Sequence, residues 1–215
     1  RRSSDLDDAQ LTRERGDWQY TRDEEDEKKL ESYVRTYPDF SLCGLNCALC
    51  PRHHTQGPSR CPGCGGPRFS ELHPSCPIIR CSRTQGNVEF CHACDIYPCE
   101  RYEGTPSHDS FISYSTRLDD QKKAVSEGLD TYLARLAERK TILEHLLHTC
   151  DDGRRKGFYC LAANLLQLES LREVTDAVEK MDLKTSAERA AAMVIALQEQ
   201  AIAQGIMLKL RTKER

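Results

Sequence analysis

Ten of the twelve cysteines in this 215-residue chain lie between residues 43 and 99, at spacings typical of metal ligands. They are Cys43, Cys47, Cys50, Cys61, Cys64, Cys76, Cys81, Cys91, Cys94 and Cys99. Three pairs have C-x2-C spacing, which allows both sulfurs of one turn to bind the same metal ion. A disulfide framework is the alternative for an even number of cysteines. We favour metal binding, because the two cysteines of a C-x2-C turn pair less readily with each other than with a shared ion.

The composition of the same segment limits the fold that it can adopt. Proline and glycine interrupt residues 40–104 so often that few windows remain for a regular helix or strand. Such a segment buries little apolar surface, so we expect metal coordination to supply most of its folding free energy. Structural zinc contributes about 10–16 kcal/mol to the folding of small domains, which is enough to stabilise a segment of this size. The sequence therefore predicts a small, irregular, metal-stapled module over residues 40–104.

The chain after this module has the hydrophobic pattern of helices. Apolar stripes at helical spacing cover residues 129–147, 161–178 and 190–208. Thr185 and Glu188 have the spacing of a capping box, which marks the start of the third helix. We predict a three-helix bundle over residues 105–215 that packs on itself, and a mainly α fold for the chain.

The N-terminal residues are rich in charged side chains and poor in apolar ones. Residues 1–37 hold eleven acidic and eight basic side chains and too little apolar surface to form a core. We predict a charged N-terminal arm over residues 1–39. It acts either as a solvated lead-in or as a segment that binds a partner.

Cys43, Cys47 and Cys50 form a C-x3-C-x2-C run. Three thiolates in eight residues can bind one corner of a [4Fe-4S] cluster, with Cys76, Cys81 or Cys99 as the simplest fourth ligand. Radical S-adenosylmethionine enzymes share this spacing. The α/β barrel that those enzymes need has no support in the downstream sequence, so we do not favour that class.

A second kind of site is suggested by the two other C-x2-C pairs. Cys61 and Cys64 resemble a zinc knuckle, and Cys91 and Cys94 can complete a four-thiolate zinc site with them. Ten thiolates supply two four-sulfur sites with two sulfurs left over, or three sites if histidines contribute. The histidines near these cysteines are His53, His54, His73, His92 and His108. We assign none of them as a ligand, because the thiolates already suffice.

Metal–thiolate sites of either kind carry negative charge, with a formal value near −2 when four thiolates bind. The segment contains five arginines that can offset it, namely Arg52, Arg60, Arg68, Arg80 and Arg83. Each of them either donates hydrogen bonds to sulfur or lies in solvent, and solvent is the simpler expectation at any single position.

Cys160 is the candidate catalytic residue outside the cysteine-rich segment. A turn with three cations, including Arg154 and Arg155, precedes a helix that we predict to begin near Phe158. A thiol in the first turn of a helix and near cations has a lowered pKa, and the same helix end can bind an anionic substrate. Alternatively, Cys160 is a small buried hydrophobic residue and the cations are solvated.

Four cysteine motifs occur in a fixed order. They are Cys-Gly-Leu-x-Cys-x-x-Cys-Pro from Cys43, Cys-Pro-Gly-Cys from Cys61, Cys-x-Ile-x-x-Cys from Cys76, and Glu-Phe-Cys-x-x-Cys-x-x-Tyr-Pro-Cys-Glu from Glu89. With this set, residues 42–102 resemble an uncharacterised cysteine-rich family of bacteria and archaea that is common in anaerobes. Residues 152–160 are similar to the helical extension of its longer members. The resemblance implies metal binding and no particular reaction.

The sequence leaves three functions open. We rank first an iron–sulfur protein with a [4Fe-4S] cluster and an additional four-cysteine zinc site, in electron transfer or redox chemistry with a redox or protein partner. A zinc-stapled protein-interaction module ranks second, and an enzyme with Cys160 and Arg154 near a metal site ranks third. The net charge of −3 argues against general nucleic-acid binding. No apolar run is long enough to cross a membrane, and the many thiols favour the reducing cytoplasm.

Overall fold

A computed structural model describes residues 34–102 and 108–212 of the chain. Its α-helices are α1 (Phe69–Leu72), α2 (Pro77–Thr84), α3 (Arg117–Ser126), α4 (Leu129–Thr149), α5 (Lys156–Leu165), α6 (Leu168–Glu179) and α7 (Ser186–Ala203). Single turns of 3-10 helix lie at Cys47–Leu49, Cys91–Ala93 and Glu100–Tyr102. No strand occurs in either described range. The predicted order, a cysteine-rich region with little regular structure followed by helices, is confirmed.

All described residues belong to one compact unit, Tyr33–Arg215. Most of the predicted N-terminal arm lies outside the described residues, as does the predicted boundary between residues 104 and 105. Both therefore stay predictions. None of the helices in the described part of the chain is long and apolar enough to cross a membrane.

Residues 108–212 form five helices rather than the expected three. The second apolar stripe is divided, because Leu166 and Gln167 are extended and separate α5 from α6. Leu166 and Leu168 are both buried, so the hydrophobic pattern continues through the break and does not reveal it. The additional helix, α3, buries mainly polar side chains, including Asp120 and Gln121, and so lacks an apolar stripe.

The start of α7 agrees with the sequence. The Thr185 hydroxyl accepts a hydrogen bond from the Glu188 amide at 3.1 Å, and the Glu188 carboxylate accepts one from the Thr185 amide at 2.9 Å. These two bonds satisfy two amides that the first helical turn leaves without partners. The predicted capping box is confirmed.

The main apolar core is shared by the helices and the cysteine-rich segment. Phe40, Ala48, Leu49 and Phe90 from that segment pack in the same cluster as the buried residues of α4 to α7. The Phe40 ring lies 4.7 Å from the Tyr132 ring on α4 and 5.4 Å from the Phe90 ring, measured between centroids. Contrary to the expectation from sequence, the bundle does not pack only on itself.

Candidate metal centre

Two of the three C-x2-C turns adopt the same backbone conformation. Each is a single 3-10 turn, closed by a bond from the Cys50 amide to the Cys47 carbonyl (3.1 Å) or from the Cys94 amide to the Cys91 carbonyl (3.0 Å). The closing cysteines, Cys50 and Cys94, are extended with ψ values of 137° and 136°. This turn gives the two cysteines of each pair the proximity that a shared metal requires.

The third C-x2-C turn is held by contacts that only glycine permits. Gly63 has a φ of +89°, and a Cβ atom there would lie 2.4 Å from the Pro38 carbonyl oxygen. The Cys64 amide donates to that same oxygen at 2.8 Å, and the Cys61 amide donates to the Arg52 carbonyl at 2.9 Å. The turn is thereby fixed against residues that flank the C-x3-C-x2-C run.

The C-x3-C-x2-C run itself packs on α3 through Gly44. Gly44 has a φ of +91°, and a Cβ atom there would lie 2.0 Å from the Arg117 carbonyl oxygen. A side chain at position 44 is therefore excluded both by the backbone conformation and by this contact. The first helix after the cysteine-rich segment thus supports the loop between Cys43 and Cys47.

Thiols from four parts of the segment meet at a second, smaller apolar cluster. Leu42, Cys64 and Ile79 form its buried centre. Partly buried side chains that pack against it are Cys47, Phe69, Cys76, Ile78 and Cys91. Leu42 also accepts a hydrogen bond from the Cys91 amide at 2.9 Å. Thiols that are far apart in sequence therefore pack against the same buried leucine.

Six sulfurs form a connected set, which we call the first thiol group. Its members are Cys43, Cys47, Cys50, Cys61, Cys64 and Cys76. Burial raises the pKa of Cys47 well above its ordinary value, and negative charge on four other members raises it further. Burial likewise raises the pKa of Cys64 to about 12. As thiolates these side chains would repel one another strongly, and a metal cation removes that repulsion.

Cys91 belongs to a different set of cysteines, which we call the second thiol group. Its members are Cys81, Cys91, Cys94 and Cys99. Burial raises the pKa of Cys91 to about 12, with charge on Cys43, Cys99 and Cys81 adding to the rise. Cys94 joins the group through its backbone turn with Cys91. Cys43 interacts with both groups, so it lies where the two meet.

A buried chain of hydrogen bonds holds Cys91. The Tyr102 hydroxyl donates to the Cys91 sulfur, which opposes the rise in the pKa of that thiol. Gln121 on α3 is fully buried; its amide nitrogen donates to the Tyr102 hydroxyl at 2.7 Å and its oxygen accepts from the His92 amide at 3.0 Å. Sequence reasoning missed Tyr102 and Gln121, because a buried polar side chain leaves no periodic signal.

Arg35, which lies within the predicted charged arm, is a buried cation beside the first thiol group. It is only 3% exposed. Its guanidinium donates to the Phe40 carbonyl (3.0 Å), to the Cys64 carbonyl (3.3 Å) and to the Glu89 carbonyl (2.6 Å). Its positive charge opposes the rise in pKa at Cys64 and Cys76. The Nε atom is buried and has no hydrogen-bond partner.

Cys160 does not have the environment that a reactive thiol needs. It lies in the second turn of α5 rather than the first and is 3% exposed. Burial raises the pKa of Cys160 to about 12, so the expectation of a lowered pKa is wrong. The thiol does lie within electrostatic range of Cys50, which places it next to the first thiol group.

Local carboxylates bind the backbone amides of the turn before α5. The Asp151 carboxylate accepts hydrogen bonds from the amides of Gly153 (3.0 Å) and Arg155 (3.3 Å). Asp152 accepts from the Arg154 amide at 3.1 Å and forms an ion pair with the Arg155 side chain at 3.0 Å. Local carboxylates therefore bind three amides of this turn and the Arg155 side chain, and the anion-binding role expected of the Arg154 side chain stays a prediction.

A comparison with protein families gives one result. The model of a family described as a protein of unknown function, DUF3795, matches residues 39–104. No curated protein and no solved structure matches the chain. The matched residues contain all ten clustered cysteines, and α3 to α7 lie outside the match. The expected similarity to an uncharacterised, cysteine-rich domain family is thus found over less than half of the chain.

The donor set fits a thiolate-bound metal, although the sulfurs are not arranged around an ion. All twelve cysteines are free thiols. Within residues 34–102 and 108–212, no three cysteine, histidine or acidic side chains are close enough to hold a metal ion as they stand. Thiolates are the preferred ligands of zinc and of iron–sulfur clusters. These thiols suit either a zinc ion or an iron–sulfur cluster, since the Arg35 guanidinium lies beside them and its Nε has no hydrogen-bond partner. Binding of either would require the sulfurs to move closer together.

Proposed function

We propose that the chain is a metal-binding protein with two centres. The first thiol group, which includes the C-x3-C-x2-C run, would hold a [4Fe-4S] cluster. The second thiol group would form a four-cysteine zinc site. The observation that carries this proposal is the set of buried and half-buried thiols that packs around Leu42, with the buried guanidinium of Arg35 bonded to the Cys64 carbonyl.

The residues around the first thiol group have defined roles under this proposal. A [4Fe-4S] cluster would supply one-electron transfer. Arg35 would stabilise the thiolate charge and orient Cys64 through the carbonyl that it already binds. The amides of Arg52 and His53 face Cys50 and oppose the rise in its pKa, so they would stabilise that thiolate as well. Leu42 and Ile79 would exclude water from the sulfurs.

A zinc-stapled interaction module is the second candidate, and one observation favours it. Leu49, in the first C-x2-C turn, and Phe40 pack in the main apolar core with the helices. A metal that fixes this turn would therefore also stabilise the helical region, as structural zinc does. The enzyme with Cys160 and Arg154 is not proposed further, because Cys160 is buried and its pKa is raised.

The proposal includes the cellular location and the partner of the protein. We infer a protein of the reducing cytoplasm of bacteria or archaea, because twelve free thiols suit a reducing compartment. Under the first candidate function its partner is a redox protein, and under the second it is a protein that docks on the module.

The test is to purify the chain without oxygen and to measure iron, zinc and acid-labile sulfide per chain, together with the visible absorption spectrum. We expect iron and sulfide in equal amounts, a broad visible absorption band that bleaches on reduction, and about one zinc ion. Zinc without sulfide would select the second candidate. Folded protein without metal would reject both.

Matched serine variants assign the metals to the thiol groups. Cys47→Ser should lower iron and sulfide while leaving zinc, and Cys99→Ser should lower zinc while leaving iron. Cys150→Ser is the control, because Cys150 is also buried but lies outside both groups. Equal metal content in all three variants would contradict the assignment.

A further inference from the structure

A cavity of about 140 Å³ lies beside the candidate metal centre, among α3, α4 and the junction of α5 and α6. Asn46, which lies between Cys43 and Cys47 in the sequence, forms part of its wall. One water needs about 10–15 Å³ of such space, so the cavity has room for a small organic molecule. This site is independent of the proposed metal binding and uses none of the cysteines.

Buried polar side chains line the cavity. Asn46, Asp120, Tyr132 and Asn164 are each at least nine-tenths buried. Asn46 donates to the Asp120 carboxylate and to the Asn164 carbonyl oxygen, both at 3.1 Å, and accepts from the Tyr132 hydroxyl at 2.9 Å. Asn164 and Tyr132 hold the Asn46 side chain, and its bond to Asp120 orients that carboxylate before any ligand arrives.

Opposite charges line this cavity without neutralising each other directly. Asp120 interacts electrostatically with Lys123 and Arg139, but it forms no ion pair with either in the described part of the chain. One terminal nitrogen of Arg139 donates to the carbonyls of Ala163 and Leu166, both at 2.7 Å, which fixes the guanidinium in place. A ligand that carries one positive and one negative charge would pair with Asp120 and with the two cations at the same time.

The start of α6 also forms part of the cavity wall. Gln167, the residue before this 12-residue helix, makes no side-chain capping bond. Gln167, Leu168 and Glu169 all line the cavity. The Gln167 amide already donates to Gln204 Oε1 at 3.0 Å, and the Glu169 carboxylate in the first turn offsets the positive end of the helix dipole, so this helix start is not an anion site.

We propose that this cavity binds a small zwitterion of the α-amino acid class. Its ammonium group lies at Asp120, and its carboxylate lies at Lys123 and Arg139. The cavity has room for a small amino acid, so L-alanine, L-serine and L-aspartate are suitable probes. Through Asn46, the bound molecule would lie next to the loop between Cys43 and Cys47.

The experiment is calorimetric titration of the full chain with each of the three amino acids and, separately, with acetate and methylammonium. Acetate carries only the carboxylate of an amino acid and methylammonium carries only its ammonium group, so they test the two charged groups separately. We expect at least one amino acid to bind at least tenfold more tightly than either acetate or methylammonium. No binding by any of the three, or equal binding by acetate or methylammonium, overturns the proposal.

Variants of α3 provide the test and its matched control, since Asp120 and Lys123 line the cavity and Lys122 does not. Lys123→Met should weaken binding of the amino acid about tenfold, and Asp120→Asn should weaken it at least as much. Lys122→Met is the control, because Lys122 is exposed and pairs with Asp119 on the same helix. Equal affinity in Lys123→Met and Lys122→Met overturns the proposal. Metal measured in the same samples keeps this outcome separate from that of the metal proposal.

Discussion

At the residue scale, the spacing of the cysteines could be read from the sequence, but the side chains that support them could not. Thiolate spacing in a turn is a local property, so C-x2-C pairs are recognisable from sequence alone. Arg35 binds the Cys64 carbonyl 29 positions away, and Gln121 binds the Leu42 carbonyl 79 positions away. A buried guanidinium in a charge-rich stretch looks like any solvated arginine, which explains why Arg35 was grouped with the arm.

The burial of Arg35 predicts a large effect of its removal. Arg35→Met deletes bonds to three carbonyls and an ion pair with Glu89 at 3.1 Å. Loss of one partner from a buried charged network costs about 3 kcal/mol or more. We expect that loss in the free energy of unfolding by urea, together with weaker metal retention. Arg68→Met is the control, since Arg68 pairs with Glu71 on the surface. Equal stability of the two variants would show that Arg35 does not stabilise the fold.

At the scale of elements, the sequence predicted where helices begin better than where they break. The capping box at Thr185 combines two residue types at a fixed spacing and was correctly recognised. The break between α5 and α6 lies within a run of buried leucines, so the hydrophobic pattern hides it. Helix α3 was missed because its buried face carries Asp120 and Gln121, which bind groups in the cysteine-rich segment.

The capping box predicts a measurable contribution to stability. Thr185→Ala removes the acceptor of the Glu188 amide and should destabilise the protein by about 1 kcal/mol. Thr141→Ala, in the exposed middle of α4, removes a hydroxyl that bonds only within its own helix at 3.1 Å. Because alanine has the higher helix propensity, this control should be neutral or slightly stabilising. Thermal unfolding followed by circular dichroism distinguishes the two, and identical midpoints would count against the cap.

At the scale of the whole molecule, the cysteine-rich segment and the helices depend on one another. Phe40, Leu49 and Phe90 supply part of the core that the stripes of α4 to α7 also fill. Hydrophobic periodicity identifies which face of a helix is buried, but it does not identify what covers that face. The sequence therefore predicted the helices and the metal-binding segment, and missed that they share a core.

The shared core predicts that the helical region does not fold alone. A chain that begins at Ser113 lacks Phe40, Leu49 and Phe90, and loss of one buried phenylalanine side chain costs about 3–5 kcal/mol. Domains are stable by about 5–15 kcal/mol in total, so the loss of all three is decisive. We expect this truncated chain to lose most of its helical circular dichroism. A chain that begins at Tyr33 is the control and should keep it, since Tyr33–Arg215 is one compact unit. Native-like helicity in both would contradict a shared core.

The most direct measurement on the whole molecule is native mass spectrometry of the folded chain, prepared without oxygen. The intact mass reports bound iron, sulfide and zinc at once. We predict a mass above that of the polypeptide by a four-iron, four-sulfide cluster and one zinc ion, with the cluster mass lost in Cys47→Ser and kept in Cys150→Ser. A folded chain with the mass of the polypeptide alone would contradict metal binding by the two thiol groups.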